Sequence, residues 1–331
     1  MSANISKTKD GQDTVFVVGE PPWHKLGKIL DKPANAREAI HAAGMGWDVA
    51  LETVRLYEQN GGTRPINGYS AVIRQDTQNV LGIVKGRYVP IQNSDAFGFF
   101  DAVVGGGQAI YHSAGALGLG ERVWIMAKLD GAIRVDGTDD LVEKYLLLSS
   151  SHDGTESLTM RMTPVRVVCQ NTLEAAIQGT RAAVKIRHTE SAPTRVAQAQ
   201  KALGLAARYY DSLGAEIQKL HSIRLTAEQV KKYVEEVFPV GGVLSTRTEN
   251  IRETVLQLCK TGIGNDMKGI EGTLWGAMNG VTEYVSYHRG TRGKTSSERL
   301  NNRLESLWFG SGSAINARAW EVAQKFATVA Q

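Results

Sequence analysis

Only two of the 331 residues are cysteine, Cys169 and Cys259, far apart and each in apolar company. That excludes a disulfide scaffold and fits buried thiols in a reducing compartment. No Cys and His residues carry the spacing of a zinc site. No apolar run approaches the ~20 residues needed to span a bilayer. The polar N-terminus lacks the apolar centre of a secretion signal, so an exported or membrane protein is not expected. The Gly-x4-Gly-Lys-Ser/Thr phosphate loop is absent, and the glycine clusters at 105–107 and 115–120 lack the strand-to-helix setting of a dinucleotide site. There is no internal repeat and no low-complexity tract.

Acidic residues are scarce in one place. Between Thr159 and Arg208 there are eight basic side chains and only two acidic ones, Glu174 and Glu190. That segment is +6 while the whole chain is +4, so the rest is slightly acidic. Such asymmetry points to a polyanionic partner. The segment follows an apolar strand at 144–151 and a turn at His152-Asp153-Gly154, and it alternates through 159–163. Arg161, Arg166, Arg181, Lys185 and Arg187 are the leading candidates for phosphate contacts, although the same arginines also suit the wet face of a strand. A second basic element at 288–297 carries Arg289, Arg292 and Lys294 among glycines.

The rest of the chain reads as ordinary globular sequence, with 42% hydrophobic and 22% charged residues. Residues 1–13 are expected as a mobile tail. Asn35 caps a helix that Gly44 ends; strands follow at 47–57, 69–75 and 80–84, and Ser94 caps a helix at 95–104. Strands at 108–119 and 121–129 come next; in the second, Val123, Ile125, Ala127 and Leu129 share one face. From Val196 to Leu220 apolar residues recur every three or four positions, a long amphipathic helix. Helices are then expected at 226–238, 246–260, 271–288, 297–308 and from 313 onward. The fold class is α+β, an antiparallel sheet with flanking helices over 14–190 followed by a mainly helical domain over 191–331.

Candidate chemistry is sparse. Cys169 invites a nucleophile reading with His152 or His188 as base, but Asn171 with Glu174 also fits a helix cap that leaves Cys169 in an apolar turn. His152, Asp153 and Glu156 could hold a metal or form a hairpin turn. Asn279 and Glu283 lie one helical turn apart and could line a polar pocket or a subunit interface, or simply join two helices by a hydrogen bond. No cofactor and no catalytic residue are expected.

Several segments together resemble an uncharacterised family of phage- and plasmid-encoded proteins. They are Pro22-Trp-His-Lys-Leu-Gly27, Gly46-Trp47, Leu81-Gly-Ile-Val84, Arg87-Tyr88, Pro90-Ile-Gln-Asn93, Gly120-Glu-Arg-Val-Trp124, Val167-Val-Cys-Gln-Asn-Thr-Leu173 and Trp308-Phe-Gly310. The resemblance implies a mobile-element protein in a bacterial cytoplasm. A looser resemblance, in the helix leading into Gly46-Trp47 and a sheet backed by a helix, is to ring-forming single-strand annealing proteins. The expectation is therefore a homo-oligomeric protein that binds and anneals single-stranded DNA in recombination, without chemistry of its own. The alternatives are a host-takeover or anti-defence protein that binds a host protein through its helical region, or an enzyme acting on nucleic acid.

Overall fold

The computed structural model describes residues 5–19, 27–31, 35–59, 61–104, 109–166, 171–172, 183–185, 192–290, 306–307 and 310–329. The strands are β1 (Val15–Val18), β2 (Lys28–Leu30), β3 (Val49–Tyr57), β4 (Thr63–Arg74), β5 (Asn79–Lys85), β6 (Ala109–Leu117), β7 (Arg122–Arg134), β8 (Leu141–Ser151), β9 (Thr159–Met162), β10 (Val165–Arg166), β11 (Asn171–Thr172) and β12 (Ala183–Lys185). The helices are α1 (Ala36–Ala42), α2 (Asn93–Val104), α3 (Ala192–Ser222), α4 (Ala227–Val237), α5 (Thr246–Thr261), α6 (Leu274–Glu283) and α7 (Ser311–Val329). The class is α+β, with antiparallel sheets and helices first and a mainly helical region from about residue 200.

The chain forms two compact units interleaved in sequence. Unit 1 holds Met1–Leu129, Leu146–Arg161 and Ala183–Gly204; unit 2 holds Asp130–Tyr145, Met162–Ala182 and Leu205–Gln331. The expected boundary at 190 falls within the third segment of unit 1.

In unit 1 the larger sheet runs β12-β9-β8-β7-β6-β1-β2, and β3-β4-β5 form a separate antiparallel meander. β1 and β2 are parallel, whereas β1–β6, β6–β7 and β9–β12 are antiparallel. The apolar run of β8 is buried through Tyr145 to Ser151, as a strand covered on both faces must be. On β7, Val123, Ile125, Ala127 and Leu129 are buried while Arg122, Met126 and Lys128 are half-buried, the alternation its sequence implies, broken only by Trp124, which is buried on the second face. α1 starts in a capping box: the Asn35 side chain accepts from Glu38 N at 3.0 Å, and Asn35 N donates to Glu38 Oε2 at 3.2 Å. Gly44 then takes φ +62°, and a Cβ there would lie 2.7 Å from Thr8 Cγ2. α2 buries Phe97, Phe100 and Val103, and Tyr111 of β6 donates its hydroxyl to Phe97 O at 3.1 Å.

The stretch expected as a mobile tail holds definite contacts in residues 5–13. Ile5 is bridged to Leu117, Ser6 N donates to Ala116 O at 2.8 Å, and both residues are buried. A backbone ladder against β6 supplies what the polar composition conceals.

In unit 2 every residue of α6 is buried, so this helix is the core of the unit. Trp275 donates Nε1–H to Asp140 Oδ2 at 2.9 Å, and Asn265 Nδ2 joins Leu258 O and Gly276 O at 2.9 and 3.0 Å. Gly280 lets α5 approach, since a Cβ there would meet Cys259 N and Sγ at 2.8 Å. Thr226 and Gln229 form a capping box on α4. At its other end, Arg252 and Arg318 donate to the carbonyls of Phe238 and Val237, the place where cations complement a helix. On α3, Ala206, Tyr210, Leu213, Ile217 and Leu220 form the buried stripe that the spacing predicts.

Further expectations differ: Ser94 lies inside α2, which begins at Asn93, and the strand expected at 69–75 begins at Thr63. The helix expected over 271–288 begins only at Leu274, because Thr273 is its N-cap, and it ends in a π-helical turn, Tyr284–His288. Asn171 lies in β11 opposite Arg166 of β10, not at a helix cap. Ladder pairing with an adjacent strand overrode a local capping pattern. The expected helix at 297–308 falls almost wholly outside the described residues.

Candidate nucleic-acid interface

The basic candidates divide by location. Arg161 lies on β9 and Lys185 on β12, both in unit 1. Arg166 lies on β10 and Arg289 follows the π-helical turn, both in unit 2. Arg181, Arg187, Arg292 and Lys294 lie outside the described residues, as do Cys169 and His188.

In the β9–β12 ladder Lys185 pairs with Thr159, two residues from Arg161. Directly paired residues share a face, and so do residues two apart on one strand. Lys185 and Arg161 are therefore diagonal neighbours on the same face, opposite the one that buries Met160 and Met162. Lys185 is exposed. Arg161 is half-buried: Nη1 donates to Ser149 Oγ at 2.8 Å and Nη2 meets Glu156 Oε1. Arg122 of β7 reaches the same carboxylate, with Nε 3.9 Å from Oε2. Two cations, Arg161 and Arg122, thus meet one carboxylate, and Lys185 is the diagonal neighbour of Arg161 on the same face.

The loop between β8 and β9 positions that carboxylate. Asp153 Oδ1 accepts from Thr155 N at 2.9 Å and from its hydroxyl at 2.6 Å, a turn that Gly154 completes at φ +78°. Ser151 Oγ accepts from Glu156 N at 2.7 Å. Gly82 on β5 lets the loop pack closely, as a Cβ there would lie 2.6 Å from Asp153 Cα. Burial raises the Asp153 pKa, but the hydrogen bonds from Thr155 and Ser151 and the Arg122 charge outweigh it, so the carboxyl sits below its usual range.

His152 begins this loop and is buried. Its Nε2 lies 3.1 Å from Asn93 Oδ1, while Asn93 Nδ2 donates to Met45 O and Trp47 O. Because the amide oxygen can only accept, the imidazole proton is on Nε2. Nδ1 is buried without a hydrogen-bond partner among the described residues. Burial lowers the His152 pKa to about 4; nearby Asp153 opposes this and Arg74 adds to it. The Trp47 ring meets His152 edge-on at 5.3 Å and carries the Arg74 guanidinium over its face at 4.3 Å. Arg74 is fully buried and paired with Asp76 at 2.7 Å, with Ser6 and the Leu119 carbonyl as further acceptors. Gln92 bonds both backbone groups of Val49, so Gln92 and Asn93 together dock the start of α2 on β3.

These contacts correct the chemical readings. His152 is held by Asn93, Asp153 by Thr155 and Glu156 by arginines, and among the described residues no three His, Cys, Asp or Glu side chains group to hold a metal ion. Burial pushes the Cys259 thiol up to about 12, so it stays protonated and unreactive. In unit 2 Arg289 donates to Ser306 and Ser311 at 3.0 and 2.9 Å. Glu283 is buried and accepts from Ile263 N at 2.8 Å, while Asn279 Nδ2 donates to Trp275 O at 2.9 Å. Glu283 thus ties α6 to the turn that follows α5, whereas the Asn279 bond lies within α6 and its Oδ1 is buried without a partner among the described residues. Arg122 escaped the sequence reading because it lies outside the basic segment; its position on the polar face of β7 was the available signal.

No curated protein and no solved structure matches the chain. Residues 80–308 match the model of a family described as Domain of unknown function (DUF932), and the chain belongs to that family.

Proposed function

We propose that this is a single-stranded DNA-binding protein of a phage or plasmid that anneals complementary strands during recombination and works as an oligomer. The observation that carries the reading is the shared sheet face of Arg161 and Lys185, with Arg122 on the same carboxylate, within or beside a segment of charge +6. Cations on a sheet hold a strand by its phosphates and leave its bases free to pair. The order α1, β3-β4-β5 meander, α2 supports the analogy with annealing proteins at the level of element order. The phage or plasmid origin rests on the sequence motifs alone.

The test is fluorescence anisotropy of a labelled single-stranded oligonucleotide over a salt titration, followed by addition of the complementary strand. Binding that weakens steeply with salt, and then faster pairing, is the expected result. Binding without faster pairing removes annealing, and no binding at low salt removes the reading altogether.

A further inference from the structure

A groove in unit 1 remains outside this account. The N-terminal segment folds back beside α1 and leaves two adjoining depressions of about 400 and 450 Å³ that share Thr8, His41 and Gly44. Their charged lining is unequal. Lys7 is matched by Asp13, and Asp76 is consumed by Arg74. Lys9, Lys28 and Arg37 line the groove, are exposed, and have no carboxylate partner among the described residues; Asp10 is the one acid left over. Trp47 lines the first depression although it is only 5% exposed, and its Nε1–H is buried with no acceptor among the described residues. An unpaired buried N–H is costly, and water or a ligand oxygen is what relieves it. Excess positive charge and an unused donor together call for an anionic oxygen.

We propose that this groove binds a phosphate group in its first depression, held by Lys9 and Arg37 with Trp47 Nε1 as a neutral donor, while Lys28 adds positive charge from the adjoining depression. The phosphate belongs either to the backbone of a DNA strand or to a free nucleotide. The first form rests on the single-strand reading above, and the second does not.

Two probes separate them: a labelled single-stranded oligonucleotide and a labelled deoxynucleoside monophosphate, each titrated against the full chain at several salt concentrations. The double variant Lys9→Ala with Arg37→Ala, both surface changes, is compared with Trp47→Phe, whose folding is checked by circular dichroism. For the oligonucleotide, the double variant is expected to lose about tenfold in affinity and to reduce the salt slope by about 2. Trp47→Phe is expected to weaken binding severalfold with the slope unchanged, because it removes a donor without removing a charge. Binding of the nucleotide alone, abolished by the double variant, supports the groove while ending the single-strand reading. Oligonucleotide binding that survives the double variant but falls with Lys185→Ala overturns the groove and leaves that reading standing. Failure of the wild-type protein to bind either probe overturns the groove.

Discussion

Burial, more than any neighbouring charge, keeps the His152 ring neutral. Its ordinary pKa of 6.5 falls to about 4 on folding, so as pH drops the unfolded chain takes up the proton first. Stability held at neutral pH is therefore lost progressively between pH 6.5 and about 4, by up to about 3 kcal/mol from this residue. Urea midpoints measured across that range should fall more steeply for the wild-type protein than for His152→Gln; parallel curves would exonerate the ring. Lys185 makes the opposite case. It is exposed, so Lys185→Ala should change stability by less than about 0.5 kcal/mol while lowering oligonucleotide affinity and the salt slope by about 1. An unchanged slope would show that no phosphate contacts Lys185.

Close approaches between elements depend on particular glycines. Gly280→Ala puts a methyl group 2.8 Å from Cys259 and forces α5 away from α6, at a cost of about 1–3 kcal/mol in chemical denaturation. Gly82→Ala acts at the candidate interface, because its Cβ would displace the loop that carries Asp153 and Glu156. It should lower stability by a similar ~1–3 kcal/mol and also alter oligonucleotide affinity; a stability loss with affinity untouched would separate the loop from binding. The helix caps were legible because Asn35 with Glu38 and Thr226 with Gln229 are local patterns. The Asn171 pattern was equally local and misled, since a neighbouring strand at Val165–Arg166 took its backbone groups.

Across the whole molecule, the two interleaved units follow from chain path more than from composition. β7, β8 and α3 each contribute residues to both units, so no break in hydrophobicity marks the division. If the protein binds single-stranded DNA through unit 1 as proposed, competition by polyanions such as heparin should be strong at low salt and weak at high salt, following counterion release. Insensitivity to salt would instead point to stacking or to a protein partner.

The sequence by itself determined the α+β class, the buried run of β8, the alternation of β7 and the stripe of α3, because each follows from a period of two or about 3.6 within one element. It also located the basic segment, a matter of counting charge. Only the tertiary structure decided that Glu156 meets Arg122 and Arg161, that Asn93 buries His152 in its neutral form, and that residues 5–13 wall a groove beside α1. Apart from Glu156 and Arg161, five positions apart, those arrangements join residues tens of positions apart, and no local period or propensity encodes which distant partner a polar side chain will meet.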